Sequence, residues 1–117
     1  MKRLLAILIF LPLMVNAQIK KPLTVDYLWA MKRIGSSEIS PNGKTIIFDV
    51  TTYNMTANKE NTDIYLINSD GTGLHPVKNS DKNESDPKFT PNGKKITYLI
   101  DNQIHTGNLN WFNKYKK

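Results

Sequence analysis

The chain has 117 residues, of which 39% are hydrophobic and 22% charged, and a formal net charge of +6. This length and composition indicate a globular protein of one domain at most. Because the basic residues are scattered through turns or gathered at the two ends of the chain, we expect no nucleic-acid binding. The absence of cysteine excludes disulfides, thiolate metal sites and a cysteine nucleophile.

Residues 1–17 have the pattern of a secretory signal peptide. A basic start precedes an apolar run from Leu4 to Val15, and the predicted cleavage site lies between Ala17 and Gln18. A membrane anchor is the alternative, but the run is well short of the ~20 residues that a spanning helix needs. We therefore expect an exported bacterial chain, periplasmic or extracellular, without a stable membrane anchor.

Residues 18–36 form a lead-in with a predicted short helix. The apolar residues of Leu23–Met31 have a spacing compatible with a helix, Thr24 is a suitable N-cap, and Asp26 suits the first turn. Gly35 is expected to stop the helix. We expect this helix to cover one face or edge of the sheet that follows.

Residues 37–78 have the pattern of one blade of four antiparallel strands. The strands are predicted over 37–40, 44–52, 63–68 and 74–78, and the polar stretch 54–62 is predicted to be a long loop. The first turn is Pro41-Asn42-Gly43, where Pro sets φ, Asn suits the next position and Gly takes the left-handed position. Asp70 and Gly71 supply a later turn.

The turn recurs as Pro91-Asn92-Gly93, 50 residues after the first copy. After a solvated loop over 79–86, strands are predicted over 87–90, 95–100 and 103–109. Residues 79–110 therefore restate the first three strands of a blade, and the fourth is missing. Short strands with Gly turns at this period are typical of a β-propeller.

The predicted fold class is all-β: about one and three-quarter four-stranded antiparallel blades of a β-propeller. A signal peptide and a short helix precede the blades, and a basic aromatic tail follows them over 111–117. We interpret the tail as sequence without a binding role; a membrane-surface or nucleic-acid tag is the alternative.

Several stretches of the sequence follow one another in a recognisable order. They are Leu23-Thr24 to Leu28-Trp29, Arg33-Ile34-Gly35, Val50-Thr51, the two blade turns, and residues 58–66. Over residues 23–109 the chain resembles the start of exported bacterial serine peptidases of the prolyl oligopeptidase family, of the acylaminoacyl-peptidase and dipeptidyl-peptidase-like kind. The resemblance implies an N-terminal propeller that gates access to a covalently linked α/β-hydrolase domain. The blade motif is also similar to that of the periplasmic protein TolB.

The chain departs from the family pattern in two ways. Asn42 and Asn92 stand where the family usually has Asp, which preserves the turn chemistry. Trp111 follows Asn110 where an Asp-Gly turn is expected, so we expect the propeller to stop early, without a hydrolase domain. We therefore expect a truncated or frame-disrupted copy of such a peptidase.

The sequence carries no recognisable catalytic constellation. It contains no Gly-x-Ser-x-Gly elbow, and His75 and His105 fall in or beside predicted strands as packing or surface residues. The resembled family takes its catalytic residues from the missing domain, so we expect no catalytic, cofactor-binding or metal-binding residue. Residues 81–86 alternate oxygen ligands as calcium loops do but lack the Gly and Glu of that motif, which favours a connecting loop.

Three functional hypotheses remain open. The first is a non-catalytic propeller fragment of an exported peptidase. The second is a stand-alone TolB-like interaction module that holds a protein partner through blade loops or an open strand edge. The third is one half of a split enzyme, whose second chain would carry the hydrolase elbow.

Overall fold

The computed structural model describes residues 20–77 and 80–109. The predicted signal peptide, its cleavage site at Ala17 and Gln18, and the tail over 111–117 lie outside the described residues. Within them no helix is long and apolar enough to cross a membrane. In chain order the elements are α1 (Val25–Ala30), β1 (Arg33–Ile39), β2 (Thr45–Asn54), β3 (Lys59–Asn68), β4 (His75–Pro76), β5 (Glu84–Phe89), β6 (Lys95–Ile100) and β7 (Gln103–Asn108).

The strands form two antiparallel sheets. The first blade has the order β1-β2-β3-β4, and the second blade has the order β5-β6-β7. The two repeat each other in register, since Ile39 pairs with Ile46 in the first blade and Phe89 with Ile96 in the second. The predicted all-β fold of antiparallel blades is confirmed, with four strands in the first blade and three in the described part of the second.

The predicted long loop over 54–62 is wrong. β2 and β3 instead form one long hairpin, closed by a turn over 55–58. The polar composition was misleading because the hydroxyls of Thr51 and Thr62 pair with each other across the strands at 2.9 Å. A hairpin that extends past its neighbouring strands needs no buried apolar face to keep its register.

Several other strand boundaries also differ from the prediction. β1 begins at Arg33 and β5 at Glu84, each earlier than predicted, and β4 is limited to His75–Pro76. Glu84 is fully buried, so the predicted solvated loop over 79–86 is wrong at its C-terminal end. Only β6 has the bounds that were predicted, because its apolar run starts directly after the Gly turn.

Helix α1 begins as predicted, with Thr24 as its N-cap: the Thr24 Oγ1 accepts a hydrogen bond from the Tyr27 amide at 3.2 Å. It ends earlier than predicted, because Met31 already has an extended backbone. Gly35 lies inside β1 and does not stop the helix. Trp29 packs edge-on against Tyr53 of β2 with ring centroids 5.2 Å apart, so α1 packs near the C-terminal end of that strand.

The hydrophobic core lies between the two blades. Ile47, Ile64 and Leu66 from the first blade and Ile96 from the second form a buried cluster, and Tyr98 packs against it. Each fully buried side chain of this kind contributes about 1.5–3 kcal/mol. One face of the first blade is therefore stacked on the opposite face of the second, as in consecutive propeller blades.

Candidate functional site

Asp49 of β2 is the centre of the polar contacts between the blades. Its side chain is buried, with 5% of the residue surface exposed. Asp49 Oδ1 accepts a hydrogen bond from the Ser36 amide at 3.1 Å, and Oδ2 accepts one from the Asp86 amide at 2.9 Å. Ser36 and Asp86 occupy the same position of the 50-residue repeat, so one carboxylate binds equivalent amides from two blades.

The Ser36 and Asp86 amides lie at β-bulges, where they have no partner in the strand ladder. The register of β1 against β2 shifts between Ile34 and Ser37, and that of β5 against β6 shifts between Ser85 and Lys88. A bulge leaves a residue unpaired in the ladder, and a buried amide without an acceptor is costly. The Asp49 carboxylate supplies the missing acceptor at both bulges.

Gly35 makes room for this carboxylate. A Cβ atom on Gly35 would lie 2.1 Å from Asp49 Oδ1, which is closer than any non-bonded contact permits. The glycine expected to end a helix therefore has a different role: it allows the β1 backbone to approach the buried acid closely.

Two more side chains cross between the blades. Glu38 Oε2 accepts a hydrogen bond from the Phe89 amide at 2.5 Å, and Asn83 Oδ1 accepts one from the Thr62 amide at 3.0 Å. In each case a side-chain oxygen of one blade binds a backbone amide of the other. The contacts are directional and complement the apolar packing of the core.

A second pair of acidic residues lies near the start of β5. Burial raises the pKa of Asp63, the hydrogen bond from Asn61 lowers it, and the negative charge of Glu84 raises it further. The Asn61 Nδ2 donates to Asp63 Oδ2 at 2.8 Å, and the Ser80 hydroxyl donates to Glu84 Oε1 at 2.7 Å. Residues 20–77 and 80–109 contain no group of three or more side chains suited to a metal ion.

The predicted turn residues lie at the surface, away from these acids. Asn42 Oδ1 accepts hydrogen bonds from the Ser40 hydroxyl at 2.7 Å and from the Lys44 amide at 3.0 Å, and Gly43 has φ of 70°. Pro41 precedes them at the first turn position. All the described contacts of Asn42 are within its own turn.

The second copy has the same geometry. Asn92 Oδ1 accepts from the Thr90 hydroxyl at 2.7 Å and from the Lys94 amide at 3.0 Å, and Gly93, which follows Pro91 and Asn92, has φ of 66°. The repeated Pro-Asn-Gly motif therefore corresponds to a repeated set of hydrogen bonds.

The third predicted turn uses an acid in place of the amide. Asp70 Oδ1 accepts from the Thr72 hydroxyl at 2.6 Å and from the Thr72 amide at 2.9 Å, and Gly71 has φ of 87°. The side-chain bond from Thr72 and then its amide bond hold the pKa of Asp70 below its usual value. Asp70 and Gly71 complete the connection after β3.

The two histidines lie in different blades. His75 Nδ1 is 2.6 Å from the carbonyl oxygen of Gly73, which ties the ring to its own turn. The His105 ring stacks on Tyr98, with centroids 5.9 Å apart. These are the contacts of turn and packing residues.

Sequence reasoning missed the inter-blade acids and an aromatic cluster. Arg33 lies 5.2 Å from the Trp29 ring and 4.6 Å from the Tyr53 ring, beside an open cleft of about 400 Å³. A signal for Asp49 was present, since it is an acid inside the apolar run of β2. Its partners, however, are separated from it in sequence.

No protein-family model matches the chain. Over 77 residues, 66% of its length, it is 34% identical to dipeptidyl-peptidase 5 of Porphyromonas endodontalis and 27% identical to dipeptidyl-peptidase 5 of Porphyromonas gingivalis. The chain spans only 11% of the length of each relative.

A solved structure shares the fold. Acylaminoacyl peptidase of Pyrococcus horikoshii matches with a TM-score of 0.58 at 21% identity, over 70% of this chain and 13% of that chain. The likeness concerns propeller blades, in agreement with the two stacked sheets described above. The resemblance to prolyl oligopeptidase family peptidases is thus confirmed for part of the chain, which is similar in sequence to dipeptidyl-peptidase 5 and in fold to the propeller of acylaminoacyl peptidase.

Proposed function

We propose that residues 20–109 act as two consecutive blades of the propeller of an exported serine peptidase, and that they serve substrate access and not bond cleavage. The observation that carries this proposal is the 34% identity to dipeptidyl-peptidase 5 over 77 residues, in a chain whose described residues fold as two blades. Gating follows the family resemblance: a propeller beside a hydrolase domain admits small peptides and excludes large substrates.

The chemistry of the acids supports a non-catalytic role. A general acid or base needs a titratable group free to exchange a proton with a substrate. Both carboxylate oxygens of Asp49 instead accept hydrogen bonds from backbone amides. Glu38 Oε2 likewise accepts a hydrogen bond from the Phe89 amide. These carboxylates serve to hold the blades together.

The purified chain tests the non-catalytic part. Incubated with fluorogenic dipeptidyl and acylaminoacyl amides, it is expected to give no turnover above buffer, with or without a fluorophosphonate that blocks serine nucleophiles. Turnover abolished by the fluorophosphonate would overturn the proposal. Addition of a separately expressed hydrolase domain from a relative distinguishes a split enzyme, since activity would then appear only in the mixture.

An interaction module is a second candidate, favoured by one observation. β7 is the last strand of the second sheet in the described residues, and Ile104 on it is 76% exposed. An open strand edge can pair with a strand of another protein. A defined complex that is lost on Thr106→Pro, which removes an edge amide, would favour this function over the peptidase propeller.

A further inference from the structure

Asparagine is followed directly by glycine at two places in the sequence, and both lie in the blade turns. They are Asn42-Gly43 and Asn92-Gly93, and every other asparagine precedes a larger residue. The backbone nitrogen that follows an asparagine can attack the carbon of the side-chain amide. Glycine, which has no Cβ atom, hinders this attack least. Each blade turn therefore places an electrophilic amide next to an unhindered nucleophile.

The first turn leaves this nucleophile in open space. Residues 41–44 are exposed, and a Cβ atom on Gly43 would have no atom of the described residues within 4 Å apart from its chain neighbours. Water therefore reaches both the Gly43 nitrogen and the Asn42 side chain. Its access matters because the cyclic imide that the attack produces has to be hydrolysed.

Hydrogen bonds within the turn polarise the side-chain amide of Asn42. The Asn42 Oδ1 accepts from the Ser40 hydroxyl at 2.7 Å and from the Lys44 amide at 3.0 Å. Both donors draw electron density from the amide carbon. They are also placed to stabilise the negative charge that this oxygen acquires when a nucleophile adds.

One hydrogen bond holds the nucleophile away from the electrophile. The Gly43 amide donates to the Ser40 carbonyl at 2.8 Å, and this bond has to break before the nitrogen can turn toward the Asn42 side chain. A hydrogen bond at an exposed turn adds little net stability, so the turn can open locally while the blade stays folded. The reaction rate in the folded protein therefore follows the population of the open turn.

The second turn has the same hydrogen bonds but is partly covered. The Gly93 amide donates to the Thr90 carbonyl at 2.7 Å, as Gly43 does to Ser40. Gly93 is half-buried, however, and a Cβ atom on it would lie 3.4 Å from the Cδ of Pro41 in the first turn. The cover hinders opening and limits the space around the nitrogen. The first turn is therefore the more reactive of the two.

We propose that Asn42 is a spontaneous deamidation site of the folded protein and that Asn92 is a slower one. The Gly43 nitrogen loses its proton and bonds to Asn42 Cγ, the bond from Cγ to Nδ2 breaks, and the nitrogen leaves as ammonia. Water then opens the cyclic imide at either of its carbonyl carbons, which gives aspartate or isoaspartate. Both products carry a negative charge that asparagine lacks.

The two products differ in their effect on the turn. Aspartate keeps an oxygen that can accept from Ser40 and Lys44, so it is compatible with the observed hydrogen bonds. Isoaspartate directs the main chain through the former side chain, which adds a methylene group between residues 42 and 43. We expect this longer connection to disturb the Ser40–Thr45 hydrogen bond that closes the hairpin.

The third turn provides a contrast within the same molecule. Asp70-Gly71 has a similar shape, with a carboxylate in place of the amide. An ionised carboxylate is a poor electrophile because its negative charge repels the nucleophile. The hydrogen bonds from Thr72 lower the pKa of Asp70 and favour that ionised form. Asp70 is therefore expected to isomerise far more slowly than Asn42 reacts at neutral or alkaline pH.

The experiment is incubation of the full chain at mildly alkaline pH, followed by peptide mapping with electron-transfer fragmentation, which distinguishes aspartate from isoaspartate. Circular dichroism monitors the fold. We expect Asn42 to react first and Asn92 several-fold more slowly. Asn58 and Asn102, which are exposed turn residues before larger neighbours, serve as controls and are expected to stay unmodified over the same period.

The same incubation in urea separates the effect of the turns from that of the sequence. Both asparagines precede Gly-Lys and follow Pro, so we expect their rates to become equal once the turns are unfolded. Gly43→Ala is expected to slow Asn42 several-fold, and Asn92 in the same chain is the internal control. Equal rates in the folded protein, or a difference that persists in urea, would overturn the proposed order. Unmodified Asn42 in folded protein after the urea sample has reacted fully would overturn the site itself.

Discussion

Asp49 and Asp86, 37 residues apart in the chain, are joined by a 2.9 Å hydrogen bond from the Asp86 amide to the Asp49 carboxylate. The bond crosses from one blade to the next. Asp86 has φ of 48°, a left-handed conformation that is uncommon for residues other than glycine. The buried carboxylate therefore stabilises the bulge of the second blade in a conformation that its own sequence disfavours.

Removing the Asp49 carboxylate tests this relationship. We expect Asp49→Ala to lower the free energy of unfolding by about 2–4 kcal/mol, because two amides lose their acceptor and each costs roughly 1–3 kcal/mol. Asp49→Asn keeps one acceptor oxygen and is expected to lose about half as much. Urea denaturation measures both, with Asp101→Asn in an exposed turn as the control. A loss below about 0.5 kcal/mol for Asp49→Ala, typical of surface positions, would contradict the assigned role.

Glycine substitutions give a matched pair. Gly35→Ala places a Cβ 2.1 Å from Asp49 Oδ1, whereas at Gly107 the nearest atom would be 3.6 Å away, an ordinary contact. We expect Gly35→Ala to cost more than about 2 kcal/mol because backbone and carboxylate must separate, and Gly107→Ala to be near neutral. Thermal unfolding compares them directly; equal melting temperatures for the two variants would show that β1 does not need the close approach.

In the first blade turn, the stability of the protein is expected to depend on the side-chain oxygen of Asn42, which accepts two hydrogen bonds. Asn42→Asp keeps the oxygen that binds Ser40 and Lys44, so we expect little change in stability. Asn42→Ala loses both hydrogen bonds and is expected to cost about 1 kcal/mol, a small value because the turn is exposed and water replaces the lost partner. Chemical denaturation distinguishes them. If the two variants were equally stable, the side-chain oxygen would have no part in the turn.

Asp63 and Asp70 predict opposite pH dependences. Burial raises the pKa of Asp63 above 3.8, so its ionised form disfavours the fold. Asp63→Asn should stabilise the protein at neutral pH, and the gain should disappear as the pH falls through the raised pKa and below 3.8.

Asp70 has its pKa lowered by Thr72, so its ionised form favours the fold. Asp70→Asn should therefore destabilise the protein at neutral pH, with the loss disappearing as the pH falls from 3.8 through the lowered pKa. Unfolding free energies of both variants between neutral and acid pH check the signs. A stability difference of the same sign for both variants would refute the assignment.

The parts of the fold that local chemistry determines were predictable. Thr24 is a cap by virtue of its own side chain, and Lys95–Ile100 is an apolar run after a Gly turn, so neither depends on distant residues. The polar end of β3 was not predictable by composition, because Thr62 is held by Thr51 across a hairpin that reads as a loop.

The inter-blade contacts were harder to predict for a different reason. A lone acid in an apolar strand, such as Asp49, signals a buried partner but does not identify it. Its partners are backbone amides, which have no sequence signature, and they become available only where β1 and β5 bulge. The contact between Glu38 and Phe89, 51 residues apart in the chain, also ends on a backbone amide, but this amide points outward from β5 and is not released by a bulge.

The most direct test of the central claim, that these residues act as propeller blades of a peptidase, is the activity of a chimera. The 77 residues of Porphyromonas endodontalis dipeptidyl-peptidase 5 that match this chain are replaced by the corresponding segment, and hydrolysis of a dipeptidyl amide is measured. We predict kcat/KM within about tenfold of the parent enzyme, a change of roughly 1.4 kcal/mol, and a lower yield of folded enzyme when the segment carries Asp49→Leu. A chimera that is folded by circular dichroism but inactive would contradict the claim.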